Sequence, residues 1–224
     1  GEDEGTVELL YVLDSGACLD SSYFNLIVNS PCDSVSMIGN SIEVVNTNDS
    51  GFGSLRQAIL CANYNVEYDS IIFNIPGVAP YTINLLSQLP DIEDSKIVIN
   101  GNSEIEIYDY GIVVSADSVE ISNLNLFDAS INSIEVKSCD GCSLIGNEMS
   151  GSQIGVLLNP DTTLKNIVLK QNYVDVVFYG IQIKNGIYQD IQIEDNEIIG
   201  AFRGVYWISQ SSVVNDIINF NIVD

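Results

Sequence analysis

The sequence predicts an all-β chain wound as a single-stranded parallel β-helix, a three-sided solenoid of about 24 residues per turn with a short α-helix capping its amino-terminal end. Three observations predict it. An apolar word recurs at a nearly constant interval, a second word recurs in step with it, and one capped amphipathic segment precedes both.

Taken in chain order, residues 1–41 form a strand-rich segment with expected strands at Val7–Leu13 and Phe24–Val28 and no assignable role. Cys18 and Cys32 flank an apolar stretch there, a spacing that allows a disulfide closing a small loop. Residues 42–101 form the opening of the coil. Within it, Ser54-Leu-Arg-Gln57 follows a glycine-rich turn and reads as a capping box. Leu55, Ala58, Ile59 and Ala62 then share one face, so a helix is expected over 55–63. A solenoid needs its first turn covered, because an open end exposes core and unpaired strand edges; the helix is the expected plug.

Residues 102–224 carry the regular coils. Their word is apolar-x-apolar-x-x-Asn-x-apolar, as in Cys142–Met149, Ile167–Val174 and Ile191–Ile198, with a degenerate copy ending at Asn221 and Val223. Its key position falls at residues 102, 124, 147, 172, 196 and 221, at intervals of 22, 23, 25, 24 and 25. A second word, Gly111-Ile-Val-Val, Gly155-Val-Leu-Leu, Gly180-Ile-Gln-Ile and Gly204-Val-Tyr-Trp, keeps the same step, with Ser133 replacing one glycine. Apolar residues at alternate positions specify strands with one buried face, and the common period stacks like positions on successive turns about 4.8 Å apart. Asn147, Asn172, Asn196 and Asn221 are therefore expected as a structural column at one corner, and the glycines as a second corner needing a permissive backbone. Helical solenoids are excluded, since spacings of three and four residues are absent.

The stretch from Asn46-Thr-Asn-Asp-Ser-Gly-x-Gly-Ser-Leu-Arg-Gln-Ala-Ile59 through Asp69-Ser-Ile-Ile-Phe-Asn-Ile-Pro-Gly77, Leu89-Pro-x-Ile92 and Ile97-Val-Ile-Asn-Gly101 resembles the amino-terminal region of pectin-lyase-like, parallel β-helix surface proteins of adhesin-like type. The resemblance covers about residues 42–101; the rest matches only as generic coils. It implies a right-handed coil, a helical cap and export to the cell surface or beyond.

Seven basic against thirty-one acidic residues give a formal net charge of −24. That field repels nucleic-acid backbones and acidic membrane surfaces, and attracts cations, of which Ca²⁺ is the expected one through diffuse binding, with no cofactor otherwise. No apolar run reaches the roughly 20 residues of a membrane helix, so membrane insertion is not expected. Hydrophobic content of 46% argues for an ordinary core under an acidic surface. Cys139-Asp-Gly-Cys142 has metal-ligand spacing, but without histidine or a second pair it reads as buried thiols or a local disulfide, and no metal site is expected.

The same fold carries pectate lyases and polygalacturonases, so residues must decide activity. The chain has no histidine and only Arg56 and Arg203 as arginines, and the clear repeats never set two carboxylates at one outward slot of adjacent turns. No catalytic residue is assigned. Lys170 and Glu194 share an outward slot on successive turns, which predicts a surface ion pair. Tyr173 and Tyr206, also outward, are the candidate ligand-binding residues, with flat faces for glycans. Asn46–Gly51 reads as a turn and not as a calcium loop, lacking the distant glutamate of such loops. The last turn stops before its second word, which suggests either self-association or continuation into neighbouring domains of a longer chain. The expectation is a non-catalytic extracellular structural or adhesive protein, secreted or at the cell surface, assembling end to end or belonging to something longer; the alternatives are a carbohydrate-binding module or a polysaccharide lyase or hydrolase.

Overall fold

Alternating apolar residues fold into three parallel ladders that share one core. The computed structural model describes residues 5–14, 19–28, 30, 32, 35–64, 70–161, 163–208, 212–214 and 217–222. They form a β-solenoid of about 6 turns with about 24 residues per turn.

The first ladder stacks Ser41–Val44, Ser70–Phe73, Val98–Asn100, Glu120–Ser122, Ser143–Ile145, Thr163–Lys170 and Ile187–Ile199. The second stacks Tyr81–Asn84, Ile105–Tyr108, Asn125–Phe127, Glu148–Ser150, Tyr173–Asp175 and the end of Ile187–Ile199. The third stacks Ile112–Val114, Asn132–Val136, Ile154–Leu158, Tyr179–Ile183 and Arg203–Trp207. The register places like on like: Ile99, Ile121, Leu144, Leu169 and Ile193 form one inward column, all fully buried. Ile107, Leu126, Met149, Val174 and Ile198 form another on the second ladder, and Ile112, Ile134, Val156 and Ile181 a third. Each such side chain withdraws its apolar surface from water, a gain of about 2 kcal/mol apiece.

Residues with positive φ turn the corners. Between the first and second ladders these are Asn102, Ser103, Asn123, Gly146, Gln171 and Asp195, with φ between 51° and 64°. The last four each immediately precede the key position of the repeat, and on the turn before them Asn102 holds that position itself. The carbonyls and N–H groups freed by this bend need partners inside the coil, and the asparagines supply them. Asn172 Nδ2 donates to the Leu144 carbonyl at 2.9 Å and to Asn196 Oδ1 at 2.8 Å. Its own Oδ1 accepts from the Asn147 N–H at 3.0 Å and from Asn147 Nδ2 at 3.1 Å. The pattern continues from Asn196 Nδ2 to the Leu169 carbonyl at 2.8 Å, and from Asn147 Nδ2 to the Ile121 carbonyl at 2.9 Å. The expected column at Asn147, Asn172 and Asn196 is thus a buried amide ladder. It does not extend in register to Asn221: Ile193 pairs with Ile218 but Asn196 pairs with Phe220, and Asn221 falls opposite Glu197. The strand Ile217–Ile222 has one residue fewer between those pairs, which shifts its register past Asp195.

The glycine word has a different cause from the one expected. Gly155 and Gly180 lie within the third-ladder strands Ile154–Leu158 and Tyr179–Ile183, not at a corner, and neither has positive φ. A Cβ on Gly155 would overlap Val174 Cγ1 and the Gly180 carbonyl oxygen, and one on Gly180 would overlap Ile198 Cγ2 and the Gly204 carbonyl oxygen. Room between turns, not left-handed backbone, requires glycine. Ser133 fits its slot by hydrogen bonding to Ser152, 2.8 Å between hydroxyl oxygens.

The helix runs Leu55–Tyr64 and buries Leu55, Ala58, Ile59, Cys61 and Ala62. Ser54 caps it, its hydroxyl accepting from the Gln57 N–H at 3.2 Å, while Gln57 Oε1 accepts from the Gly53 N–H at 2.7 Å. The disulfide expected between Cys18 and Cys32 is corrected here. Cys32 is bonded to Cys61, 29 residues further on, because the helix turns Cys61 inward against the segment that precedes the first coil; Cys18 lies outside the described residues. Closing a loop of that length stabilises by about 3–4 kcal/mol in the chain-entropy account. Cys139 and Cys142 form the local disulfide, both buried. The amino-terminal strands Gly5–Asp14 and Leu19–Val28 pair as an antiparallel hairpin and contain the two strands expected there.

Candidate functional site

The two candidate tyrosines are not brought together. Tyr173 points outward from the second ladder, in register between Glu148 and Glu197. Partial desolvation, then the carboxylates of Asp175, Glu197 and Glu148, hold its phenol above the ordinary value. Tyr206 points outward from the third ladder. Its ring stacks on Tyr179, centroids 4.7 Å apart and planes 17° from parallel, and the Arg203 guanidinium lies 4.4 Å from its centre. The Tyr206 ring is thus engaged by two side chains of this protein.

Next to it the structure exposes aromatic surface that the sequence reading passed over. Tyr179 and Arg203 are register partners, so the residues before them, Phe178 and Phe202, sit on adjacent turns. The turns are tied there by the Arg203 N–H to the Phe178 carbonyl, 2.9 Å, and the Phe202 N–H to the Val177 carbonyl, 3.2 Å. Val177 is 54% exposed, Phe178 48% and Phe202 75%. The Arg203 guanidinium lies 5.7 Å from the Phe202 ring centre, and so stands between Phe202 and Tyr206. Among the described residues Arg203 makes no ion pair. The signal was present in the sequence as Phe178 and Phe202, 24 residues apart, in an outward slot filled one turn earlier by Gln153. Beside this patch lies an open groove of about 350 Å³ lined by Ser150, Gly151, Asp175, Val176, Val177 and Gly200.

Arg56, Lys137 and Lys170 serve structural ties. Lys170 Nζ meets Glu194 at 3.4 Å across adjacent turns, as the shared slot predicts. Lys137 Nζ lies 3.0 Å from Asp91, and that hydrogen bond, against desolvation and with neighbouring carboxylates, holds the ammonium above its ordinary value. In the Asn46–Gly51 turn, Asp49 Oδ1 accepts from Arg56 Nη2 at 2.6 Å and from the Leu86 N–H at 3.0 Å, so this carboxylate oxygen is already committed within the protein. A smaller cavity of about 160 Å³ lies between Gln88, Gly111, Asn132 and Glu135 on the third ladder; the buried Asn132 Oδ1 at its wall accepts no hydrogen bond. Among the described residues no group of three or more Asp, Glu, Cys or His is placed to hold a metal ion, and no helix is long and apolar enough to cross a membrane.

No protein-family model matches the sequence, and a search of curated proteins finds no match. Of the pectin-lyase-like resemblance of residues 42–101, the structure supports the β-solenoid. The chain is a β-solenoid.

Proposed function

We propose that this chain is a non-catalytic structural or adhesive module of the cell surface or extracellular space, working as one segment of a longer rod or as a subunit stacked end to end. The observation that carries the reading is the amide ladder through Asn147, Asn172 and Asn196, flanked by continuous apolar columns. A rod built by repeating one set of contacts resists bending and can be lengthened by further turns without new chemistry. The disulfides Cys32–Cys61 and Cys139–Cys142 support an oxidising compartment. The acidic surface keeps such a rod soluble at high local concentration.

The test is incubation of the purified chain, with and without Ca²⁺, on a panel of polysaccharides. Neither new reducing ends nor unsaturated uronate absorbance is expected, and catalytic turnover would overturn the reading. Sedimentation across a concentration series then separates stacked subunits from a module that needs covalent neighbours.

A further inference from the structure

Deepening the adhesive reading, on which this inference rests, we infer that the outer corner between the second and third ladders is a binding site for a neutral saccharide. Phe178 and Phe202 form its apolar floor, Arg203 supplies donors, and the Asp175 groove receives the hydroxyl rim.

The floor comes from register. Phe178 and Phe202 lie on adjacent turns, their backbones tied by the Arg203 N–H to the Phe178 carbonyl, so one corner of the solenoid carries both exposed rings. A pyranose has one C–H-rich face of similar breadth, and that face gains by leaving water for an aromatic ring. The exposure of Phe202, 75%, is costly to a soluble chain unless something covers it, and an exposed apolar patch edged by polar groups marks a place of contact.

Orientation comes from the polar groups. The Arg203 guanidinium is held between Phe202 and Tyr206 and has no carboxylate partner among the described residues, in a chain with thirty-one acids. Stacking fixes its plane and leaves its N–H donors for ring and hydroxyl oxygens. Across the patch, Asp175 and Ser150 line the groove beside Val177 and supply an acceptor and a hydroxyl. A flat apolar floor with a few convergent polar groups is the composition of small-ligand sites.

Charge selects the class. A net charge of −24, with Asp175 in the groove itself, repels uronates and sulfated glycans, and one arginine does not reverse that field. A neutral oligosaccharide meets no such penalty and uses both the arginine donors and the carboxylate acceptor.

The test titrates the full chain with neutral oligosaccharides of β-linked glucose, mannose, xylose and N-acetylglucosamine, by calorimetry and saturation-transfer NMR. Polygalacturonate and heparin oligosaccharides serve as anionic controls. Saturable binding to at least one neutral series is expected, weakened at least tenfold in Phe202→Ala and severalfold in Arg203→Gln, and unchanged in Lys165→Ala on the first ladder. Arg203→Gln keeps the proposal testable if Phe202→Ala fails to fold. Absence of binding to every neutral probe, tighter binding of the anionic controls, or binding indifferent to both variants would overturn it. Such a failure without product release leaves the structural reading standing, whereas release of product from any glycan sinks the non-catalytic reading itself.

Discussion

The capped opening, residues 42–101, and the regular coils that follow hold the same fold by opposite means. In the opening every polar contact is used once. Arg56 alone ties the helix to the Asp49 carboxylate and to the carbonyls of Asp49, Ser87 and Gln88. Asn63 bonds the Asp91 carbonyl and the N–H groups of Glu93 and Asp94. In the coils one contact recurs at each turn, from amide to amide and from amide to carbonyl, through Asn147, Asn172 and Asn196. A unique contact can be lost only as a whole. A repeated one passes its loss to both neighbours, and that difference orders the following effects.

The largest is expected at Asn172, in the middle of the ladder. Asn172→Ala removes the donor to Leu144 and the acceptor of the Asn147 N–H, and leaves Asn196 Oδ1 without its side-chain donor. Each buried group left unpaired costs about 1–3 kcal/mol, so a loss of about 4 kcal/mol is expected in denaturant unfolding. Hydrogen exchange sharpens the comparison. Faster exchange should reach the turns of Asn147 and Asn196 and leave the helix untouched; exchange confined to one turn would break the idea of a shared ladder.

Arg56→Ala should cost somewhat less, about 3 kcal/mol, with faster exchange confined to the cap. Its acid dependence is specific. Burial by itself would raise the Asp49 carboxyl, but the Leu86 N–H and then the Arg56 hydrogen bond and charge bring it below the ordinary carboxylate value. A folded value below the unfolded one means that this stabilisation is complete above about pH 4 and is lost as pH falls through the folded value. Between pH 5 and pH 2 the parent should therefore lose stability more steeply than Asp49→Asn, in urea titrations at each pH.

Most of this architecture is legible in the sequence, because the period is repeated often enough to be read. The ladder at Asn147, Asn172 and Asn196, the helix from Leu55 and the Lys170–Glu194 pair all follow from spacing alone. What spacing does not convey is how close two turns come and how a segment folds back. The reason for Gly155 is the carbonyl of Gly180 one turn away, and the partner of Cys32 is carried to it by a helix that begins 23 residues later. The patch at Phe178 and Phe202 escaped for a related reason. An apolar residue in an outward slot looks like noise until register sets a second one beside it.

Gly155→Ala measures that closeness directly. The added methyl would meet a backbone carbonyl, which cannot swing aside as a side chain does, so turn 155 must separate from turn 180. A loss of about 2 kcal/mol is expected, with a lower melting temperature and an unchanged oligomeric state. Alanine at Ser133 is the counterpart. Its methyl already fits, and only the hydrogen bond to Ser152 is lost, so about 1 kcal/mol is expected. Equal losses at the two sites would show that the turns have more slack than their contacts imply.

The smallest effect separates the inside of the repeat from its outside. Lys170 and Glu194 are register partners one turn apart, as neighbouring asparagines of the ladder are, yet they stand partly in solvent, with side chains 38% and 26% exposed. Water already solvates both charges and salt screens them, so the pair gains little by meeting. Lys170→Ala should cost under about 0.5 kcal/mol, and a double-mutant cycle with Glu194→Ala in low and high salt should give a coupling that salt erases. Equal spacing would then have produced two contacts of the same geometry and nearly tenfold different worth. If the cycle instead returned a coupling comparable to that of the buried amides, recurrence rather than burial would be the quantity that stabilises this solenoid.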